Sequence, residues 1–308
     1  MIPAVVLTAG LGTRLDPLTR LVAKGAVPVA GFTLAERVLQ WLSRQGVRDA
    51  VLNLHHRPET ITGAVGDGTH LGLAVRYSWE QPILGSAGGP RHALPLLTAA
   101  GADTILIVNG DTLTDLPLAE LMAAHTASGA DVTMAVIPNP NKDFYNGVIA
   151  GDDGVVTRFV PKGHREASWH FVGIQVVRAS VLASLPDGVH TETVAGVYRS
   201  IVEASPGRIR IWPTTAHFLD VGTPADYLAT ALQIGKPAGT ESIVEDDAVV
   251  HPSARLTSCV VWPGARIGAD ATLDHCIVAG AVTIPDGANY TRQVLIPGSM
   301  NDVAAFQI

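Results

Sequence analysis

With 308 residues, 47% of them apolar and 16% charged, the chain has the make-up of a well-packed globular protein and room for two domains, which excludes a disordered polymer. A formal charge of −7 excludes general nucleic-acid binding, which needs a basic surface. No apolar run nears the ~18 residues of a membrane span, no basic residue precedes the apolar Ile2–Leu7 as in a secretory leader, and two cysteines build no disulfide framework.

The expected location is therefore the cytoplasm, without nucleic-acid or membrane partners. In chain order, apolar runs predict strands over Ala4–Thr8, Ala50–Leu54, Ala74–Ser78, Thr104–Val108, Val132–Pro138, Phe171–Val177 and Ile209–Trp212. Helical patterns fall between them. Leu34, Val38, Leu39 and Leu42 share a face over Leu34–Gln45, and a second helix spans Leu118–Thr126. Continuous apolar strands between amphipathic helices predict a mostly parallel sheet covered on both faces, with ligands at the carboxyl ends of its strands. Val148–Phe159, interrupted by GDDG, predicts an inserted β-hairpin.

After a helix over Ala225–Gln233 comes GKPAGTES, whose composition marks a linker. The expected division is a catalytic domain over 1–235, a linker over 236–242 and a tail over 243–308. In the tail Val250, Ile267 and Ile284 recur every 17 residues, as do Ala254, Ala271 and Ala288, and Cys259 precedes Cys276 by that same offset. Aliphatics within each unit step by six, five and six. Such steps predict a three-sided β-helix with coils stacked about 4.8 Å apart. The two cysteines are then stacked core thiols rather than metal ligands, since no second His/Cys pair joins them.

The opening loop, LTAGLGTRLDPLTRLVAKGAVPV, is the most informative stretch. A P-loop needs G-x-x-x-x-G-K-[ST], and Leu15 stands where its second glycine belongs. The dinucleotide fingerprint G-x-G-x-x-G fails at the same leucine. What remains is a phosphate cradle with two cations, Arg14 as a planar fork and Lys24 as a point charge, or else a structural turn with both solvated. Two cations suit a triphosphate being cleaved, where charge develops on the leaving pyrophosphate.

GLGTRLDPLT followed by KGAVPV resembles the signature G-x-G-T-R-L-x-P-L-T…K-x-x-x-P-V of the sugar-phosphate nucleotidyltransferases, or nucleoside-diphosphate-sugar pyrophosphorylases. The likeness continues through VLNLHH, EQPILGSAGG, VNGDTLTD, FVGIQVV and FLDVGTPADYL, and LGSAGG is similar to a stretch of the mannose-1-phosphate guanylyltransferases. This resemblance implies a Rossmann-like α/β domain with a mixed, mostly parallel sheet, followed by a short left-handed β-helix. It implies that Ala9, Gly10, Gly12, Thr13 and Arg14 wrap the nucleotide phosphates, with Lys24 beside them. It implies that Asp111 and Asp220, each readable alone as a turn residue, bind Mg²⁺, a hard cation that takes oxygen ligands.

The EQPILGSAGG stretch would read the base through Glu80, Gly85 and Ser86. A carboxylate only accepts hydrogen bonds and can take both the N1–H and the amino group of guanine, which favours GTP over UTP or dTTP. Asn109, Gly147, Lys162 and Gly173 would bind the sugar phosphate. Two departures fall there: Pro161 stands where a glutamate commonly precedes the lysine, and Phe171–Gly173 stands where N-A-G is usual. Trp169 and His170 sit near that pocket, while the His55–His56 pair reads as a polar corner.

The implied reaction joins a sugar-1-phosphate, mannose-1-phosphate or a related hexose or heptose, to the nucleotidyl group of the triphosphate and releases pyrophosphate. The attacking phosphate is already anionic near neutral pH, so no general base is required. Positioning and charge neutralisation by Arg14, Lys24, Lys162 and Mg²⁺ would carry catalysis. A UTP- or dTTP-dependent glucose-1-phosphate enzyme and a non-catalytic regulatory homologue are the alternatives. Open ends of stacked coils favour pairing, so a homo-oligomer is expected.

Overall fold

The computed structural model describes residues 2–235, 241–299 and 302–308. Positions 236–240 of the expected linker lie outside the described residues. By packing, the chain forms two units that interleave along the sequence. One comprises Met1–Gly10, Val38–Pro58 and Val65–Phe218; the other comprises Leu11–Arg37, Glu59–Ala64 and Leu219–Ile308.

The first unit is built on nine strands: β1 (Ala4–Leu7), β2 (Asp49–Leu54), β3 (Ala74–Trp79), β4 (Thr104–Asn109), β5 (Val132–Pro138), β6 (Gly147–Ala150), β7 (Val156–Val160), β8 (Trp169–Arg178) and β9 (Ile209–Pro213). Neighbours β3, β2, β1 and β4 pair in parallel. Strand β8 then enters antiparallel to both β4 and β5, and β9 closes the far edge parallel to β5. The β6–β7 pair is the expected hairpin and meets β8 where Trp169 pairs with Val148. Each apolar run read from the sequence became a strand, and the central ones are buried on both faces: Val5, Val51, Ile105, Ile107, Val132, Met134 and Val177 form one core. The Gly85–Thr98 helix packs Ala93, Leu94 and Leu97 into it. The sheet is mixed and mostly parallel, as the resemblance implied.

The second unit holds the coils. Strands stack in parallel at the 17-residue offset, Val260 on Ile277, Leu256 on Leu273 and Ile267 on Ile284, on three sides of a short left-handed β-helix. The corners use the left-handed backbone region at the same offset, Ser258 (φ 51°), His275 (φ 51°) and Arg292 (φ 53°). Cys259 and Cys276 are free, buried and stacked among the aliphatics. The last strand, Val303–Gln307, runs antiparallel to Gln293–Pro297.

Within this second unit the helix Pro224–Gly235 and the tail both hold the Leu11–Arg37 segment. The Tyr227 hydroxyl, on the helix Pro224–Gly235, donates to the Pro28 carbonyl at 2.6 Å and accepts from Trp262 Nε1 at 2.8 Å. Glu245, only 7% exposed, accepts from the Gly31 amide at 2.8 Å. Burial pushes its carboxyl above the usual range, and that amide opposes the shift. The Arg20 guanidinium lies 4.8 Å from the centre of the Phe306 ring while bonding both carboxylate oxygens of Asp16.

Candidate functional site

In the sheet unit the expected residues collect at the carboxyl ends of β1, β2 and β4. A parallel sheet puts its connecting loops there, and loops can offer unpaired backbone donors to a ligand. Asn53, at the end of β2 and 3% exposed, accepts from the Thr8 amide at 2.6 Å and the Ala9 amide at 3.3 Å. The Thr8 hydroxyl donates to the Asn53 carbonyl at 2.5 Å. These bonds fix the stretch that leads into Gly10. A Cβ at Gly10 would meet nothing within 4 Å, so the protein's own packing does not require glycine there.

Gly110 donates to the Leu7 carbonyl at 3.0 Å, and this places Asp111 one residue from the end of β1. A Cβ on Gly110 would come 2.6 Å from that carbonyl oxygen, so only glycine allows the approach. Asn109 lies against Gly173, whose φ of +81° and lack of side chain leave room for the amide. Asn109, Asp111 and Gly173 are thus neighbours on β4, its following turn and β8.

The EQPILGSAGG stretch is differently arranged from the sequence expectation. Glu80 is 1% exposed. The carboxylate expected to face a guanine edge faces Asn53, whose Nδ2 donates to Oε1 at 2.6 Å, and Leu84, whose amide donates to Oε2 at 2.8 Å. The Ser86 hydroxyl donates to Glu192 at 2.5 Å and accepts from the Thr193 amide at 2.9 Å. Gly85, with φ +79°, passes so close to Thr191 that a Cβ would lie 2.7 Å from its carbonyl oxygen.

Gly147 opens β6, and Lys162 lies in the turn that follows β7. Lys162 is exposed, and its amide donates to Asn146 Oδ1 at 3.0 Å. His164 and Ser168 pack over Gly147 and bond each other at 2.7 Å. Nearby, the His170 ring lies 4.1 Å from that of Tyr145 and 5.5 Å from that of Phe218. Its Nε2 is buried without a hydrogen bond among the described residues, and desolvation lowers its pKa to about 4.

The second unit brings together Gly12, Arg14, Lys24 and the Asp220–Gly222 segment. Gly12 adopts φ +61°, and a Cβ there would lie 2.9 Å from Thr19 Cγ2 and 3.1 Å from Lys24 Cβ. Thr13 and Arg14 sit exposed in the first short 3-10 turn. Gly222 admits the Arg14 guanidinium, since a Cβ would stand 3.2 Å from its Nη1 and 3.2 Å from Asp226 Oδ2. Asp220 is half-buried, two residues upstream.

Sequence reasoning missed Asn53, Glu192 and the buried Nε2 of the half-buried His170. Only Asn53 carried a signal, as a lone amide inside the apolar run VLNL. Among the described residues no helix is long and apolar enough to cross a membrane, and no three His, Cys, Asp or Glu side chains cluster around a cage for a metal.

Comparison with known proteins extends these observations. Residues 231–291 match the GlmU-like C-terminal hexapeptide family. A mannose-1-phosphate guanylyltransferase of Mycobacterium tuberculosis is 27% identical over 94% of this chain and 83% of its own length. The D-glycero-alpha-D-manno-heptose 1-phosphate guanylyltransferase of Aneurinibacillus thermoaerophilus is 27% identical over 73% of this chain and 94% of its own. The crystal structure of HddC from Yersinia pseudotuberculosis complexed with GMP-PN shares the fold, with a TM-score of 0.65 at 21% identity, over 76% of this chain and all of that one. Residues 3–236 match the nucleotidyl transferase family, and the chain, an enzyme of that kind, belongs to it.

Proposed function

We propose that the chain transfers the nucleotidyl group of a nucleoside triphosphate, GTP in preference, to mannose-1-phosphate or a related hexose- or heptose-1-phosphate, releasing pyrophosphate. The likeness that carries this reading runs through 94% of the chain, from the glycine loop into the coils, and it is to a mannose-1-phosphate guanylyltransferase. A heptose-1-phosphate guanylyltransferase among the relatives and a fold relative solved with GMP-PN support the same base.

In this reading Arg14 offers its planar fork to the triphosphate and Lys24 neutralises charge as the pyrophosphate leaves. Lys162 holds the sugar phosphate, whose ionised oxygen attacks the α-phosphorus in line without a base. The two carboxylates Asp111 and Asp220 match the oxygen chemistry of Mg²⁺, which needs one or two carboxylates plus substrate phosphates rather than a protein cage. When bound, the cation supplies charge neutralisation and alignment of phosphate oxygens. Residues 1–235 carry the chemistry and 243–308 the coils, which also offer a surface for self-association.

Pyrophosphate release measured for all nucleoside triphosphates against glucose-, mannose- and heptose-1-phosphate tests this. The expected result is turnover with GTP and a manno-configured sugar phosphate in the presence of Mg²⁺. A preference for UTP or dTTP would overturn the base, and silence across the whole matrix would overturn the reaction.

A further inference from the structure

Asn53 and Glu80 form a bridge whose hydrogen-bond polarity is fixed at every atom. Asn53 Oδ1 accepts from two backbone amides, Thr8 and Ala9, so its Nδ2 must be the atom that faces Glu80. Glu80 Oε1 accepts from that Nδ2, and Oε2 accepts from the Leu84 amide. Both sides of the glutamate therefore meet donors, which a carboxylate satisfies and an amide cannot. The bridge is buried, with Asn53 at 3% and Glu80 at 1% exposure, so a mismatched atom there has no water to turn to. Gly89 clears the space, since a Cβ at that position would overlap Glu80 Oε1 and lie 2.7 Å from Asn53 Nδ2. His55 Nδ1, 2.8 Å from the Glu80 carbonyl, steadies the same turn.

We propose that Asn53 and Glu80 are positioning residues that lock the lead-in to the glycine loop, Thr8–Gly10, to the turn at Leu84–Gly85, and that Glu80 acts through this lock rather than by contacting the base. The inference rests on the nucleotidyl-transfer reading for its effect on activity, though not for its effect on the backbone. It accounts for a glutamate at this position by the donors around it. Selection of the base then falls to groups other than the Glu80 carboxylate.

An exchange of polarity tests the lock. Asn53→Asp sets a carboxylate against Glu80, and Glu80→Gln sets an N–H₂ group against either Asn53 Nδ2 or the Leu84 amide. The double variant N53D/E80Q matches every pair again. In it the new side-chain amide at position 80 donates its N–H to the new carboxylate at position 53, and its carbonyl oxygen accepts from Leu84. Each single variant should lower kcat/KM for the triphosphate at least tenfold. The double should return to within about threefold of the parent, with base preference unchanged throughout.

Amide hydrogen exchange at Thr8, Ala9 and Leu84 provides a readout independent of activity: protected in the parent, fast in the singles, protected in the double. If a single variant folds too poorly to assay, the double decides alone, since parent-like exchange supports the lock and fast exchange overturns it. Additive losses in the double, or an altered base preference in Glu80→Gln that the double fails to reverse, would overturn it in favour of direct base contact. Failure of the parent to turn over any substrate pair would instead remove the proposed reaction and leave the exchange result standing.

Discussion

The two units hold their loops by different means. In the sheet unit the loops are held where strands end, by side chains lying on the next strands: Asn53 clasps Thr8 and Ala9 across 45 and 44 residues of sequence, and Glu80 is 27 residues from Asn53. In the other unit the segment Leu11–Arg37 is held from the far end of the chain, Pro28 by Tyr227 across 199 residues and Gly31 by Glu245 across 214. The first kind of anchor forms with the sheet itself. The second exists only when the helix Pro224–Gly235 and the coils have folded, so both contribute to shaping the segment that carries Arg14 and Lys24.

The sharpest test of the contrast is chemical. Asp111→Asn leaves the strand-end bonds of the sheet unit in place, so kcat should fall by roughly two to three orders of magnitude. The thermal midpoint should move by only a degree or two. Stopped pyrophosphate assays and a melting curve on one preparation read both numbers, and near-normal turnover would remove Asp111 from the proposed metal ligands.

Tyr227→Phe should invert that pattern. It deletes the bond to Pro28 and leaves buried Trp262 Nε1 without its acceptor, a loss of about 1–3 kcal/mol in unfolding free energy. Amides of Leu11–Arg37 should exchange faster while those of β1 and β2 keep their protection. Equal loosening of both regions would erase the distinction between the two kinds of anchor.

The smallest effect is the most specific to pH. His170 has a free-chain pKa of 6.5 that burial lowers to about 4. As pH falls through 6.5 the unfolded chain takes up a proton that the folded chain refuses, so stability is intact above 6.5, declines toward pH 4 and levels off below it. Partial solvent access limits the loss to about 1–2 kcal/mol. Urea unfolding at pH 7 and pH 4.5 should show a smaller decline for His170→Phe than for the parent, and parallel declines would show that the imidazole is not the cause.

Much of this architecture could be read in advance, for physical reasons. A strand buried on both faces must be apolar throughout, so β1, β2, β4 and β5 announce themselves as aliphatic runs, and β5 begins and ends where its run does, at Val132 and Pro138. The coils repeat because each stacks on a copy of itself, which forces Leu256 above Leu273 and Val260 above Ile277. The Gly85–Thr98 helix was hidden by Gly88, Gly89, Pro90 and Pro95, residues that local propensity assigns to loops and that tertiary packing overrides.

At the candidate site, Gly12 and Gly173 could be named in advance as ligand-binding positions, but the close approaches of Gly12 to Thr19 and of Gly173 to Asn109 could not be read from the sequence. The burial of Glu80 lay beyond the sequence altogether. Residue type tells that a carboxylate accepts hydrogen bonds, and only the neighbouring strands tell that Asn53 and Leu84 have already supplied them. The Tyr227–Trp262 contact was equally invisible, because nothing local links a helix residue to a coil 35 positions later.

The reversal at Val303–Gln307 decides what covers the rung before it. Every earlier rung on that side of the prism points the same way, and the final one points back along Gln293–Pro297. Its five pairs, from Gln293 with Gln307 to Pro297 with Val303, satisfy on one side of that rung the backbone groups that a parallel coil satisfies for the rungs before it.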